Sequence, residues 1–254
     1  MTARLGYELS GPAGAPLLVL GGSLGTTRAM WRPQLPELTR RRRVLRFDHR
    51  GHGESEVPAG PYRLDELGAD VLALLDEVGA ERVSYAGLSL GGMIGMWLAA
   101  HAPGRIDRLA LLCTSAYLPP AQAWLERARL VRAGGTAAVA DAVVARWFTP
   151  EFAGHEPDTV AELTKGLAAV PAPGYAGCCE AIAAMDLRPV LHRIGAPTLV
   201  IAGAADPATP PAHSEAIAAA VPGARLTVVA RAAHLASVER AAEVSRLLDA
   251  HFGD

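Results

Sequence analysis

The sequence predicts an α/β fold, with a mostly parallel sheet covered by helices on both faces. Three observations predict it. Short apolar runs alternate with longer helical segments, the pattern of strands buried on both sides by crossover helices. Half of the 254 residues are hydrophobic, enough for a sizeable core. The stretch Gly87-Leu88-Ser89-Leu90-Gly91 stands between a strand-like run and an apolar helical run. That strand, sharp turn and helix setting is the one that exposes a nucleophilic serine.

The elements follow in order. Residues 4–9 read as an antiparallel edge strand, and 17–20, 44–48, 83–86, 109–113, 198–202 and 226–229 as the remaining strands. Helices fill 64–78, 92–101, 211–220 and 241–251. Gly79 stops the first of these, and Pro103 bars continuation of the second. The rhythm breaks between about 117 and 189. Helical runs at 121–132, 136–147 and 160–169 lie there without a convincing strand, and the runs end at Pro171-Ala172-Pro173-Gly174. We expect residues 117–189 to be a helical cap inserted into a core made of 1–116 and 190–254.

Composition excludes several function classes. The formal net charge is −2, with no electrostatic footprint for nucleic acid. The run Arg40-Arg41-Arg42-Arg43 reads as solvated cations at a helix C-terminus. Cys113, Cys178 and Cys179 are odd in number and form no C-x-x-C, so small buried thiols in a reducing compartment are expected. The apolar run 17–20 is too short for a signal or membrane span, which points to a cytoplasmic protein.

A serine hydroxyl needs a base, and the base needs a partner that holds its tautomer. With a G-x-S-x-G elbow these partners follow in the chain order Ser, Asp, His, on loops past strand ends. Asp206, in Gly203-Ala204-Ala205-Asp206-Pro207, follows the strand at 198–202. His234, in Ala232-Ala233-His234-Leu235, follows the strand at 226–229. Taken alone, Asp206 also suits a turn and His234 a partly buried surface position; the order and context favour the triad Ser89, Asp206, His234. Asp186 falls in the cap region, and His213 follows Asp206 too closely. His101 and His251 stand at helix ends, where they complement the dipole. His49 and His52 read as structural.

The tetrahedral intermediate needs preorganised oxyanion donors. One is the backbone N–H of Leu90. The other comes from the loop Gly21-Gly22-Ser23-Leu24-Gly25-Thr26, with Leu24 preferred and Ser23 as the alternative. No Walker-type or dinucleotide-binding glycine pattern is present in that loop.

The chain resembles the α/β-hydrolases and, within them, the 3-oxoadipate enol-lactonases. The broad resemblance rests on Arg50-Gly51-His52-Gly53-Glu54-Ser55, the Ser89 elbow, Asp206 and His234. The narrower one rests on Gly22-Ser23-Leu24-Gly25-Thr26-Thr27, Pro61-Tyr62, Leu67-Gly68-Ala69-Asp70 and the extended elbow to Gly95. It also rests on Arg146-Trp147-Phe148-Thr149, Gly174-Tyr175 to Cys178-Cys179, Met185-Asp186-Leu187-Arg188 and Asp206 to Pro211. The resemblance implies hydrolysis of 3-oxoadipate enol-lactone to 3-oxoadipate in bacterial aromatic catabolism, with water and no metal or cofactor. A carboxylesterase or C–C bond hydrolase with the same triad is the alternative, and a binding protein on the same fold is a more distant one. The implied substrate is a small lactone that carries a carboxylate, which a planar guanidinium suits. Arg127, Arg132 and Arg146 are the cap candidates, with Arg127 carried forward. Ser23, Trp124 and Trp147 are expected to line the pocket.

Overall fold

The computed structural model describes residues 2–253. Its seven strands are β1 (Tyr7–Ser10), β2 (Leu17–Gly21), β3 (Arg43–Phe47), β4 (Val83–Leu88), β5 (Ile106–Leu112), β6 (Thr198–Gly203) and β7 (Arg225–Val229). They form one sheet in the order β1-β3-β2-β4-β5-β6-β7. Only β1 runs antiparallel, with Tyr7 opposite Phe47. The other pairs are parallel, with Val19 opposite Tyr85, Gly87 opposite Leu111 and Leu111 opposite Val200. The central strands are buried along nearly their whole length because helices cover both faces. This is why they read as continuous apolar runs with no alternation. Leu18, Val19, Leu20, Ala86 and Leu111 are wholly buried. Each large side chain buried this way contributes ~1.5–3 kcal/mol relative to exposure.

Eleven α-helices are found among the described residues. They are α1 (Leu35–Leu38), α2 (Leu64–Glu77), α3 (Leu90–His101), α4 (Ala121–Gly134), α5 (Ala140–Val144), α6 (Pro150–His155), α7 (Pro157–Ala168), α8 (Ala172–Ala184), α9 (Pro211–Ala220), α10 (Ala236–Glu239) and α11 (Ala241–Phe252). Helices α4 to α8 lie between β5 and β6 in the chain. Helix α3 packs on β2, β4 and β5, and α4 packs along α8.

Several expectations change. The edge strand begins at Tyr7, not at residue 4. The run at 136–147 is broken into a 3-10 turn, Thr136–Ala138, and the short α5. Pro171 to Gly174 do not close the helical stretch; they open α8, with proline in its first turn. Proline is tolerated there because the missing N–H has no acceptor in any case. Helix α8 gives no amphipathic signal in the sequence because it is buried nearly all round, with Tyr175, Ala176, Gly177, Cys178 and Cys179 inside, so it lacks a polar face.

The arginine run also differs. Helix α1 has only four residues, and Arg42 is not solvated. Its guanidinium pairs with Asp249 of α11 at 2.6 Å and donates to the Asp249 carbonyl at 3.0 Å. His251 is likewise no dipole-complementing cation. It is buried, burial lowers its pKa, and its Nε2 bonds the Leu109 carbonyl at 2.9 Å.

Candidate active site

Ser89 sits at φ 55°, ψ −114°, between the end of β4 and the start of α3. A left-handed φ on a non-glycine residue is strained, and it holds only where the surroundings enforce it. Here they do. Ser89 N–H donates to the Leu112 carbonyl at 2.9 Å, and its own carbonyl accepts Thr114 Oγ1 at 2.7 Å and Met93 N–H at 3.0 Å. The flanking glycines are needed for close approach. A Cβ at Gly87 would stand 2.2 Å from the Gly91 carbonyl oxygen, and one at Gly91 would stand 2.3 Å from that of Gly21.

Asp206 lies just past β6 and His234 just past β7, at the same sheet end as Ser89. Their loops are tied together: Ala204 N–H donates to the Val229 carbonyl and Ala205 N–H to that of Ala232, both at 2.9 Å. His234 Nδ1 lies 2.8 Å from Asp206 Oδ2. The other Asp206 oxygen, Oδ1, accepts the N–H groups of Ala208 and Thr209 at 2.8 and 3.0 Å, and Thr209 Oγ1 donates to Oδ2 at 2.7 Å. Burial pushes the Asp206 pKa up, but the bonds and charge of His234 and the Thr209 donors more than offset it, so the net shift is downward. Asp206 is therefore held as a carboxylate, which keeps the His234 Nδ1 proton in place.

Two backbone donors face this region without internal partners. Leu90 opens α3, so its N–H has no intrahelical acceptor. In the stretch 23–26, Ser23 N–H is taken by Met30 Sδ, Gly25 N–H by His52 Nε2 and Thr26 N–H by the Ser23 carbonyl. The Leu24 N–H alone in that stretch has no partner among the described residues.

Ser89 and His234 line one cavity with Ser23, Leu24, Trp124, Arg127 and Trp147. Arg146, Tyr175, Leu118, Val143, Ala208 and Thr209 complete its walls. Asp206 stands behind this cavity, bonded to His234, and the Leu90 side chain is in the core. Arg132 is elsewhere, paired with Glu180 at 2.8 Å. His213 bonds Ser115 Oγ at 2.7 Å in a separate groove, and Asp186 pairs with Arg188. His49 and His52 are fully buried behind the loop.

Tyr175 and Thr209 were not singled out as site residues. Thr209 left a signal, because Asp206 and a hydroxyl three residues on suit an Asx-type turn. Tyr175 left none. Its hydroxyl is buried, and burial raises its pKa while the nearby Arg127 opposes the rise. Arg127 stacks on Trp124 at 4.5 Å, and neither it nor Arg146 has a carboxylate partner among the described residues. Burial and the nearby Arg127 charge lower the Arg146 pKa. The two guanidiniums and the buried Tyr175 hydroxyl thus line one cavity, and the Arg127 charge acts on that hydroxyl.

Comparisons with known proteins agree with this architecture. The sequence profile of the alpha/beta hydrolase fold matches residues 15–241. The chain is 43% identical to 3-oxoadipate enol-lactonase 2 of Acinetobacter baylyi, over 93% of this chain and 88% of that one. A crystal structure of the enol-lactonase from Burkholderia xenovorans LB400 superposes with TM-score 0.97 at 40% identity, covering 99% of this chain and 97% of that one. A hydrolase from Pseudomonas aeruginosa PA01 superposes with TM-score 0.95 at 46% identity, covering 99% and 95%. The elbow, the loops past β6 and β7 and the matched span agree: this chain belongs to the alpha/beta hydrolase fold family.

Proposed function

We propose that this protein is a serine hydrolase that opens the lactone ring of 3-oxoadipate enol-lactone to give 3-oxoadipate, in the breakdown of aromatic compounds. Similarity to the enol-lactonases supports the substrate. One observation carries the reading to this chain: Ser89 and His234 share a cavity with the unpaired guanidiniums of Arg127 and Arg146. A neutral ester gives those two cations nothing to bind. A lactone with a carboxylate arm supplies the hydrolysable bond and the anion together.

In this reading His234 takes the Ser89 proton as Ser89 Oγ attacks the lactone carbonyl carbon. The Leu90 and Leu24 N–H groups hold the oxyanion. The ring C–O bond breaks, and the leaving enolate takes the proton that His234 gained from Ser89 and becomes the ketone, which returns His234 to its neutral form. Water, deprotonated by His234, attacks the acyl carbon; the bond from that carbon to Ser89 Oγ breaks, and His234 returns the proton to Oγ. Arg127, with Arg146 and the Tyr175 hydroxyl, grips the substrate carboxylate. Ser23, Trp124 and Trp147 shape the wall, and residues 117–189 act as the cap. A reducing cytoplasmic setting suits the three buried free thiols.

The test is a substrate panel run on the purified protein. The enol-lactone should be turned over with a far higher kcat/KM than simple aryl esters. Fast cleavage of aryl esters with no turnover of the enol-lactone would reject the substrate.

A further inference from the structure

Glu239 closes helix α10 and is buried, and it forms no ion pair among the described residues. A carboxylate in that position is costly unless several donors hold it. Three do. Oε1 accepts the N–H of Thr149 at 3.1 Å and also its hydroxyl, and Oε2 accepts the N–H of Ala233 at 2.7 Å.

These contacts join two distant parts of the chain. Ala233 directly precedes His234. Thr149 lies two residues past Trp147, in the segment whose Arg146 and Trp147 side chains line the cavity. A further bond closes the joint from the other side: Leu235 N–H, directly after His234, donates to the Trp147 carbonyl at 2.9 Å. The backbone on both flanks of His234 is thus fastened to the segment 147–149. Asp206 orients the imidazole, but the backbone that carries it is held through Glu239.

We infer that Glu239, with Thr149, is a positioning residue that locks the His234 loop to the Trp147 wall of the cavity, so that base alignment and pocket shape are set together. The inference rests on the reading of His234 as the base. Glu239 touches neither substrate nor reacting atoms. It acts by fixing where His234 stands relative to Ser89, and small displacements of a catalytic group are expensive. Glutamine is not a neutral replacement. Its amide presents one acceptor oxygen where the carboxylate presents two, so either Thr149 or Ala233 faces an N–H₂ group.

The test uses Glu239→Gln, Thr149→Val and Thr149→Ser in the full chain. Three readouts are taken: kcat and KM for the enol-lactone, the rate of Ser89 labelling by a fluorophosphonate, and the melting temperature. Fluorophosphonate labelling reports the Ser89–His234 pair without the carboxylate subsite. Glu239→Gln should lower kcat and the labelling rate together, by up to about 100-fold. Thr149→Val should lower both by a smaller factor, and Thr149→Ser, which keeps the hydroxyl, should restore them. If Glu239→Gln does not fold, the two Thr149 variants decide the matter. Wild-type kcat and labelling rate in folded Thr149→Val and Glu239→Gln, or a loss confined to melting temperature, overturns the inference. Failure of the wild-type protein to label at all overturns the reading of Ser89 and His234 instead, so the two failures are distinguishable.

Discussion

His234 Nδ1 and Asp206 Oδ2 stand 2.8 Å apart, between loops that follow neighbouring parallel strands. Asp206 also takes two backbone N–H groups and the Thr209 hydroxyl, so its orientation is fixed before any substrate arrives. Ser89→Ala should therefore abolish turnover without unfolding the chain. Asp206→Asn should lower kcat by roughly 10⁴-fold, because the amide favours the wrong imidazole tautomer. Steady-state kinetics on the enol-lactone, with circular dichroism as the folding control, checks both. Near-normal activity in Asp206→Asn would place the acid elsewhere.

Arg127 and Arg146 line the cavity and form no ion pair with a carboxylate among the described residues. Charge-assisted hydrogen bonds contribute ~1.5–3 kcal/mol. Arg127→Ala and Arg146→Ala should each raise KM for the carboxylate-bearing lactone by about 10-fold or more. Neutral esters should be nearly indifferent to either change. Equal losses on charged and neutral substrates would mean that the arginines shape the wall and do not bind the carboxylate.

His52 accepts the Gly25 N–H on Nε2 at 3.1 Å, and its Nδ1 lies 3.2 Å from the Arg50 carbonyl. Burial, reinforced by His49, pushes its pKa down to about 3. Burial lowers that of His49 as well. An unfolded imidazole takes a proton near pH 6.5, whereas the folded one stays neutral until far lower. The stability that rests on these neutral histidines is therefore complete above about pH 6.5 and is lost as pH falls, at ~1.4 kcal/mol per pH unit for His52 down to its folded value. Urea unfolding at pH 7 and pH 4.5 should show a loss on the order of 2 kcal/mol or more. His52→Asn should start lower and fall less steeply. A stability that is flat between these pH values would contradict the buried neutral assignment.

Gly174, in the first turn of α8, packs backbone to backbone on Gly51, which has φ 76°. A Cβ on Gly174 would lie 2.2 Å from the Gly51 carbonyl oxygen. Neither backbone can yield as a flexible side chain could. Gly174→Ala should cost ~2 kcal/mol or more, in line with overpacking of a tight contact, and urea unfolding reads it directly. An unchanged midpoint would show that this junction between α8 and the loop after β3 is loose.

Much of this protein could be read along the chain. Strands buried on both faces appear as unbroken apolar runs, and β2, β4 and β6 fall close to where those runs predict them. The Ser89 elbow and the loops that carry Asp206 and His234 are announced by local turn chemistry, since a strained turn restricts which residues can occupy it. These features depend on neighbours a few positions away, so the local sequence encodes them.

What folding alone decided lies in contacts between residues far apart in sequence. Helix α8 has no polar face to betray it, because it is surrounded by other helices and the core. Of Arg127, Arg132 and Arg146, only Arg127 and Arg146 reach the cavity, because Glu180 claims Arg132. Arg42 became a buried partner of Asp249, 207 positions later, and Glu239 holds Ala233 and also Thr149, 90 positions before it. No periodicity or motif records such pairings. They form when the sheet and the helices around it close, and the buried charges then need the partners that closure brings within reach.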